Sequence, residues 1–342
     1  MSTKNRIRIC TGMWVLLSIL LTYPIQATAQ KRTLREKIVR LDSTLSARYY
    51  KIPYDTNYVI RPDGRWTLKV RFNQTGNTFH TKGTINGITS KADLGTSHKT
   101  TISLGASYRG LSASFSLNPA KMKGIYKDYE LNLNYFSSRV SLDFSYQRSE
   151  TLSGDIRRDD GIHQMESGDV TLKIVNVAGY YAFNFRKFSF PAAFNQNYIQ
   201  RRSAGSWLAG ISYQGGSIIT TDELKIRKPD APNVSIKFGH LGIGGGYGYN
   251  WVVAKKWLFH ISALPTFVVY NRNKLTINYE EKETKRMRFH MMSNERAAII
   301  YNFSKRYFAG ATLVMNNSVF DNDAVTINQN KWRVRAIIGM RL

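Results

Sequence analysis

Apolar and polar residues alternate with a period of two along most of the chain from about residue 65 onward. One face of each segment is apolar and the other is polar, as in an amphipathic β-strand. Segments with this pattern cover residues 65–72, 101–108, 111–117, 129–135, 140–146, 170–185, 207–213, 241–251, 257–270, 296–303, 307–315 and 332–342. The pattern predicts an all-β protein of about twelve strands.

Two architectures accept strands with one apolar face. The apolar faces point toward each other in a soluble sandwich, but outward to lipid in a membrane barrel. Each segment is about ten residues long, which suits a tilted membrane crossing. Aromatic residues, which favour the head-group level, gather at the strand ends: Phe136, Phe185, Trp251, Trp257, Phe303 and Tyr307. We therefore predict a closed antiparallel transmembrane β-barrel of about twelve strands.

The connections between the predicted strands alternate in length. Short connections lie near 109–110, 136–139, 253–256 and 303–306, and long polar ones near 73–99, 118–127, 148–169, 214–240, 271–290 and 316–330. Outer-membrane barrels have short periplasmic turns and long outer loops. An even strand number would leave both termini in the periplasm, and the last strand runs to the final residue, as in many such barrels.

One connection departs from this alternation. A short periplasmic turn is expected between Phe185 and Ser206, but a long segment lies there. It is either a tighter hairpin that extends both strands or an inserted segment at the periplasmic mouth, and proline argues against a regular central strand. We favour a structured periplasmic insertion that partly covers the lumen, with candidate residues Pro191, Gln200, Arg201, Arg202, Ser203 and Gly205.

The first 29 residues have the three parts of a secretory signal peptide. Lys4, Arg6 and Arg8 precede a short apolar run at 13–21, and small residues at 27–29 offer a cleavage site. The run is shorter than the roughly 20 apolar residues of a spanning helix. The predicted organisation is a signal peptide at 1–29, a periplasmic N-terminal segment at 30–60 and a barrel at 61–342, located in the bacterial outer membrane.

The N-terminal segment carries the signature of a short helix. Thr33 and Glu36 fit a capping box. The apolar residues that follow recur on one helical face, namely Leu34, Ile38, Leu41 and Leu45.

Composition limits the chemistry and the partners. The single cysteine, Cys10, lies within the predicted signal peptide, so we expect no disulfide, thiolate metal site or cysteine nucleophile. A formal charge of +26 favours an anionic neighbour. Because exported chains seldom meet nucleic acid, we predict no nucleic-acid partner, and expect outer-membrane lipid, lipopolysaccharide, the barrel insertion machinery and small anionic solutes. The alternative is that charge only keeps basic loops soluble.

Basic residues in the long connections are candidates for contact with lipopolysaccharide phosphate, because clustered Lys and Arg near a membrane surface recognise anionic lipids. These residues are Lys121, Lys123, Arg157, Arg158, Lys225, Arg227 and Lys228.

The segments YDTNYVIRPDGRWTLKVRF (54–72) and FSFPAAFNQNYIQRRSAGSWLAG (188–210) carry a family resemblance. The chain resembles a family of outer-membrane barrel proteins from Bacteroidetes that is described only as a domain of unknown function. The resemblance covers the chain from about residue 40 onward, and its second segment is the more specific. It implies a barrel and an outer-membrane location, but no reaction, ligand or functional residue.

Motifs for known chemistries are weak. The glycine-rich run 242–248 lacks the following helix of a dinucleotide-binding loop, and its even-numbered glycines are predicted to lie on the lumen face, where they bend the strand or leave room for the helix or the insertion. His290, Ser293 and Asn294 have the residue types of an outer-membrane phospholipase, but positions i and i+3 of a strand point to opposite faces. We predict no catalytic site, metal site or cofactor.

Charged residues on the predicted lumen face form two groups. The basic wall consists of Lys69, Arg71, Arg296, Arg333, Arg335 and Arg341, and the acidic patch of Glu130 and Asp143. Such charges either select polar solutes by their field or pair across a closed interior.

Three functions remain open. The favoured one is a non-enzymatic, porin-like barrel that acts as a narrow, anion-leaning pore or as a structural element. The alternatives are a lipid-acting enzyme of the phospholipase type, and a barrel that binds a periplasmic partner through its insertion.

Overall fold

A computed structural model describes residues 36, 39–40, 42–44, 46–47, 51, 54–62, 64–85, 88–108, 111–117, 128–282, 287–322 and 325–342. The chain divides into two compact units, residues 1–52 and 53–342. In the first unit the described positions are helical. The predicted signal peptide, Thr33 and the predicted apolar helix face (Leu34, Ile38, Leu41 and Leu45) lie outside the described residues, as do Lys121 and Lys123. Over the described positions, no helix combines the length and the apolar character that a membrane crossing needs.

The second unit contains eighteen strands and two short helices in its described part. The elements are β1 (Val59–Ile60), β2 (Trp66–Ile85), β3 (Ile88–Gly95), β4 (Lys99–Tyr108), β5 (Leu111–Leu117), β6 (Tyr129–Phe136), β7 (Val140–Ser149), β8 (Ser153–Arg158), β9 (Gly161–Met165), β10 (Val170–Ala182), α1 (Phe190–Phe194), β11 (Ile199–Gln200), β12 (Ala204–Thr220), α2 (Asp222–Arg227), β13 (Val234–Val253), β14 (Trp257–Ile277), β15 (Glu280–Lys282), β16 (Met287–Asn302), β17 (Tyr307–Asn322) and β18 (Val325–Arg341).

A single antiparallel sheet dominates the fold. Twelve of its strands, called the wall strands below, follow each other in the order β5, β4, β2, β18, β17, β16, β14, β13, β12, β10, β7 and β6. The last strand, β18, pairs with β2 from Val325 opposite Gly83 to Arg341 opposite Thr67. In the described part of the chain the ladder ends at β5 and β6, whose Cα atoms nevertheless come within 8 Å of each other.

The sheet curls so that its polar face is enclosed. Side chains of distant strands meet across the interior: Gln214 of β12 donates to Gln329 of β18 at 3.0 Å, and Asn294 of β16 donates to Ser212 of β12 at 3.2 Å. The opposite face is apolar and exposed, as shown by Leu131 (46% exposed), Ile261 (67%) and Ile338 (60%). The outer face of the wall is therefore apolar, which inverts the usual burial of a water-soluble protein. Two apolar clusters are nevertheless buried, one around Phe188 and Leu208 and one around Phe79 and Leu172.

Several strands are much longer than the alternation of the sequence predicts. β2 and β13 each contain 20 residues and β14 contains 21, so much of the predicted loop sequence in 73–99, 214–240 and 271–290 is strand. The apolar stripe ends where the outward positions become polar. The strands continue beyond that point, because hydrogen bonds between strand backbones do not depend on the polarity of the side chains. We call this side the hairpin end, and the side with turns 137–139, 254–256 and 303–306 the short-turn end.

The predicted aromatic girdle needs one correction. Trp251, Trp257, Phe303 and Tyr307 are exposed near the short-turn end, but Phe136 is buried. Odd-numbered residues of β6 face outward, so Phe136 faces inward, where its ring stacks on that of Phe194 at 5.7 Å between centroids.

Candidate functional site

The segment between β10 and β12 folds into the enclosed space at the short-turn end, and we call residues 188–200 the plug. Its helix α1 begins after Ser189, whose Oγ accepts a hydrogen bond from the Ala192 backbone N–H at 3.3 Å. Pro191 occupies the first turn, where its missing N–H costs no helical hydrogen bond. After α1, Gln196 adopts a positive φ of 54° and turns the chain back toward the strands.

Polar contacts fix the plug to several wall strands. Lys69 of β2 donates to the Asn195 carbonyl at 2.5 Å, and Arg341 of β18 donates to the Gln196 carbonyl at 2.6 Å. On β13, Asn250 donates to the Ser189 carbonyl at 3.1 Å. Because β13 is separated from β2 and β18 by three other wall strands, these contacts show that the plug spans the interior at this level.

Aromatic packing completes the plug. Phe188, Phe190 and Phe194 surround the ring of His260 on β14, with centroid distances of 5.0–5.9 Å. Gly248 of β13 makes room for them, because a Cβ built there would lie 2.9 Å from Cζ of Phe188. The lumen-facing glycine therefore lies directly against the inserted segment.

The structure separates the six residues predicted for the insertion. Pro191 and Gln200 are buried, and the Gln200 amide donates to the carbonyls of Lys187 and Arg202 at 2.5 and 3.0 Å. Arg201 and Arg202 are exposed. Ser203 and Gly205 lead into β12: Ser203 Oγ accepts from the Val252 N–H at 2.9 Å, and the Gly205 carbonyl accepts from Asn184 at 2.8 Å.

A hydrogen-bonded Asn–His–Ser chain lies beneath the plug. The side-chain amide nitrogen of Asn250 donates to the plug. Asn250 Oδ1 is therefore the atom that accepts a hydrogen bond from His260 Nδ1, at 2.7 Å. His260 Nε2 then accepts from Ser262 Oγ at 2.9 Å. This order of groups is that of an acyl-transfer triad, but all three side chains are buried. Sequence reasoning missed it because the residues belong to two strands, although His260 and Ser262 at i and i+2 share a strand face.

The predicted basic wall divides into three groups with different surroundings. Lys69 and Arg341 bind carbonyls of the plug, as described above. Arg296 of β16 forms an ion pair with Asp143 of β7 and donates to the Tyr180 hydroxyl at 3.0 Å. Arg71, Arg333 and Arg335 make up the third group and face the remaining interior.

The acidic patch is engaged by cations, one of which the sequence reasoning omitted. Glu130 of β6 lies 3.0 Å from Lys331 of β18, across the interior. Asp128 lies 3.4 Å from Lys99 and also accepts hydrogen bonds from Ser149 and Thr151 at 2.9 and 2.8 Å. The period of two places Lys331 on the inward series with Arg333, which is the signal that could have identified it.

A chamber of about 820 Å³ lies between the plug and these charges. Its lining includes Arg71, Arg333 and Arg335, and it also reaches Leu131 and Leu133 between β5 and β6. Among the described residues, none of the three arginines forms an ion pair with a carboxylate, and the buried Nε and Nη1 of Arg333 and Nε of Arg335 donate no hydrogen bond. The chamber therefore presents three guanidinium groups that lie outside the ion pairs of the described residues, and the carboxylates of Asp128, Glu130 and Asp143, which other cations engage, also line it.

Other candidate chemistry does not assemble in the described part of the chain. The His290 ring faces inward against His240 and Phe320, whereas Ser293 lies on the outward series of β16 and donates to Glu295. The described residues contain no group of His, Cys, Asp and Glu side chains that could hold a metal ion.

Sequence comparison places the chain in a family. The model of the family described as "Domain of unknown function (DUF4421)" matches residues 53–341, which is most of the chain. The chain belongs to the DUF4421 family. No curated protein matches it. The Bacteroidetes origin that the resemblance implied stays a prediction.

Solved structures similar to the DUF4421 chain are outer-membrane proteins. They include the outer membrane protease OmpT from Escherichia coli (9% identity, TM-score 0.41, covering 82% of this chain and 97% of that chain). They also include OprG from Pseudomonas aeruginosa (9%, 0.27, 82% and 97%) and the β domain of the Bordetella autotransporter BrkA (10%, 0.31, 80% and 99%). The fold of the DUF4421 chain is assigned from its own sheet order and burial.

The hairpin end of the DUF4421 domain carries exposed charges. A hydrogen bond with His80, 2.7 Å away, lowers the pKa of Asp93 in the β2–β3 hairpin, and His163 at 3.0 Å likewise lowers the pKa of Asp160. Arg157 and Arg158 are exposed there. Arg227, in contrast, forms ion pairs with Glu166 and Asp169, so it is already engaged within the chain.

Proposed function

We propose that this protein is a closed twelve-stranded β-barrel of the bacterial outer membrane, plugged at its short-turn end, whose basic chamber binds oxyanions. The exposed apolar face supports a membrane location, because a contiguous apolar surface of this kind needs lipid or protein to cover it. Exposed Trp251, Trp257 and Tyr307 at the short-turn end match the aromatic girdle of membrane barrels.

Closure of the barrel follows from the cost of unpaired edges. A strand edge in the bilayer leaves backbone N–H and C=O groups without partners, at several kcal/mol for each group. β5 and β6 are consecutive wall strands whose Cα atoms approach within 8 Å. We therefore propose that they pair in the membrane and complete an up-and-down barrel.

The observation that carries the binding function is the group of unpaired arginines in the chamber. Arg71, Arg333 and Arg335 are half-buried and line one chamber, so their like charges repel each other and a bound anion between them would stabilise the folded protein. The guanidinium fork fits carboxylate and phosphate oxygens in a bidentate arrangement. A chamber of about 820 Å³ has room for a small organic anion as well as for an inorganic one.

The plug argues for binding over free passage. The plug contacts strands around the interior and blocks a straight passage at the short-turn end. Toward the hairpin end, the Gln214–Gln329 hydrogen bond and a buried apolar cluster around Phe79, Leu172 and Ile174 cross the interior. The proposed protein thus holds an oxyanion that enters where the chamber reaches the gap between β5 and β6, and the narrow-pore interpretation applies only if the interior rearranges.

Binding is tested by calorimetry on the folded, detergent-purified full chain with inorganic phosphate and with citrate. We expect saturable, salt-sensitive binding that Arg333→Gln and Arg335→Gln each weaken at least tenfold, or about 1.4 kcal/mol. Arg201→Gln is the matched control, because Arg201 is exposed outside the chamber. Equal binding by all variants, or no binding by the wild type, would refute the chamber as the site.

Planar-bilayer recording tests the plug. The wild type should show little conductance, whereas a Phe190→Ala/Phe194→Ala double variant should show larger, anion-selective steps because two rings that fill the lumen are lost. Large, steady wild-type steps would show that the lumen is open.

A second candidate function is ester hydrolysis, and the Asn250–His260–Ser262 chain is the observation that favours it. Ser262 would attack the carbonyl carbon, His260 would take the hydroxyl proton and pass it to the leaving alcohol, and water would release the acyl group. Phe188, Phe190 and Phe194 stand over the site, so activity requires displacement of the plug.

A fluorophosphonate probe distinguishes this second candidate. Labelling that appears in the Phe190→Ala/Phe194→Ala variant and disappears with Ser262→Ala would support hydrolysis. Absence of labelling in that variant would refute hydrolysis and would mean that the hydrogen-bonded Asn250, His260 and Ser262 side chains only hold the plug in place.

The outer-loop contacts remain a separate proposal. Arg157 and Arg158 are exposed at the hairpin end and suit lipopolysaccharide phosphate. A pull-down with Arg157→Gln/Arg158→Gln should retain less lipopolysaccharide than the wild type, and unchanged retention would reject the contact.

A further inference from the structure

A polar patch interrupts the apolar outer face of the wall near the middle of β16. Even-numbered residues of this strand, such as Asn294 and Arg296, are buried in the interior, so Ser293 and Glu295 belong to the outward series, in which Ser293 is covered by its neighbours and Glu295 is half-buried. Both carboxylate oxygens of Glu295 accept hydrogen bonds, from Ser293 Oγ at 2.5 Å and from Asn317 Nδ2 of β17 at 2.8 Å. Ser293, Glu295 and Asn317 are called the outer patch below.

The outer patch lies at the middle of the apolar band. Along β16, Glu295 is equidistant in sequence from the outward-facing aromatic residues Phe289 and Tyr301. The comparison covers the outward-facing residues of the described wall strands between the first and last exposed apolar side chain of each strand. Among them, Glu295 is the only Asp, Glu, Lys, Arg or His. Ionisable groups facing lipid at mid-depth are costly and rare, and they mark functional sites.

The surroundings of the outer patch permit close approach by another protein surface. Glu295 lies opposite Ala263 of β14 in the ladder, and the next outward residue of β16 is Ala297. On β17 the residue opposite Glu295 is Met315, and the exposed Ala311 lies two outward positions further along that strand.

We infer that the outer patch is the contact between two copies of this chain in the membrane. It contains an amide nitrogen, Asn317 Nδ2, with a second hydrogen to donate and the carboxylate of Glu295 as an acceptor, so it is complementary to itself. A two-fold axis through such a patch brings the donors of each copy to the carboxylate of the other. Small neighbouring side chains allow the hydrogen bonds to form across the interface, as they do between membrane helices.

This inference rests on the membrane orientation in the proposed function and is independent of the chamber. A second copy is preferred over a cationic partner, because both carboxylate oxygens already accept hydrogen bonds from neutral donors of the kind that the patch itself supplies. A dimer therefore withdraws Glu295 from lipid without a further component.

Disulfide trapping in lipid vesicles tests the contact. In a Cys10→Ser background, which removes the only cysteine, the full chain carries either Ala297→Cys or Leu133→Cys. Leu133 is exposed on β6, which lies six positions from β16 in the wall order, and serves as the control. Oxidation should give a covalent dimer with Ala297→Cys and little with Leu133→Cys. Equal yields at both positions, or no dimer at either, would overturn the inference.

A second variant tests the role of the carboxyl group. Glu295→Leu should weaken association, measured by energy transfer between labelled copies in vesicles, about tenfold or more, while Glu295→Gln should retain most of it. Circular dichroism and heat-modifiable electrophoretic mobility confirm that each variant is folded. Unchanged association of Glu295→Leu, or a different protein bound at this face in native membranes, would contradict a self-contact. Phosphate binding by a monomeric wild type would refute the dimer and leave the proposed function standing.

Discussion

Individual buried charges decide how the interior is balanced. Arg296 and Asp143 come from strands that are remote in sequence, and each lies in the interior with the other as its partner. Removing one member of a buried pair leaves the other uncompensated, whereas removing both can be nearly neutral. The pair therefore gives a stability test with an internal control.

Arg296→Gln should reduce the free energy of unfolding by roughly 3–5 kcal/mol, because Asp143 loses its partner. Urea titration of the protein in vesicles measures the change. The double variant Arg296→Leu/Asp143→Leu should recover much of the loss. Lys274→Gln, which breaks an exposed pair with Glu281, should change stability by less than about 1 kcal/mol. An equally small effect of Arg296→Gln would mean that the pair is solvated.

A second residue-scale test uses two glycines of β13. A Cβ at Gly248 would lie 2.9 Å from Phe188 Cζ and 3.2 Å from Ser262 Cβ, whereas a Cβ at Gly245 meets only the Leu208 carbonyl oxygen at 3.5 Å. Overpacking of this kind costs roughly 1–3 kcal/mol. Gly248→Ala should therefore lower the urea midpoint and Gly245→Ala should not. Equal midpoints would show that the plug yields freely.

At the scale of elements, the plug depends on a few long side chains from the wall. Lys69 and Arg341 hold the carbonyls of Asn195 and Gln196, directly after α1. Their loss would loosen the plug without removing any of its own residues.

Lys69→Met should accelerate tryptic cleavage after Arg201 and Arg202, since both are exposed and a looser plug fits a protease active site more readily. Lys82→Met, on the same strand at an exposed position, is the control and should cleave at the wild-type rate. The rate is followed by mass spectrometry of fragments. Equal rates in the two variants would argue that Lys69 does not hold the plug.

Local periodicity explains how much of these elements the sequence predicts. Alternation identifies the positions of the wall strands and their outward residues, and Pro191 indicates that a strand does not continue through the plug. Alternation does not predict where β2, β13 and β14 end, because these strands continue to pair with their neighbours after the apolar stripe stops.

The candidate site is less accessible to sequence reasoning than the strands. Period two assigns Arg333 and Arg335 to the inward face, yet it cannot distinguish them from Lys69 and Arg341. Whether a cation meets a carbonyl, a carboxylate or open space depends on residues more than a hundred positions away. Glu295, in contrast, stands out in the outward series of β16 and was detectable from the pattern alone.

At the scale of the whole molecule, the inverted burial is itself testable. A charge on an exposed residue of a soluble protein usually changes stability by no more than about 0.5 kcal/mol. Facing lipid, the same change costs roughly 2–4 kcal/mol near the middle of the bilayer.

Ile261→Arg should therefore destabilise the folded protein in vesicles by about 2 kcal/mol or more, although Ile261 is 67% exposed. Ile226→Arg, at an 82% exposed position in α2 at the hairpin end, should be neutral. Urea-dependent folding into vesicles measures both. Two neutral variants would place the apolar face in water or against another protein.

The enclosure of the plug also constrains the order in which the molecule can assemble. The plug is held by hydrogen bonds from β2, β13 and β18. It cannot pass through a closed, hydrogen-bonded wall, so we expect it to bind the β13–β14 hairpin before β18 pairs with β2. Cysteine pairs trapped at successive times of refolding would reveal that sequence of events, and a ring that closes first would have to remain hollow.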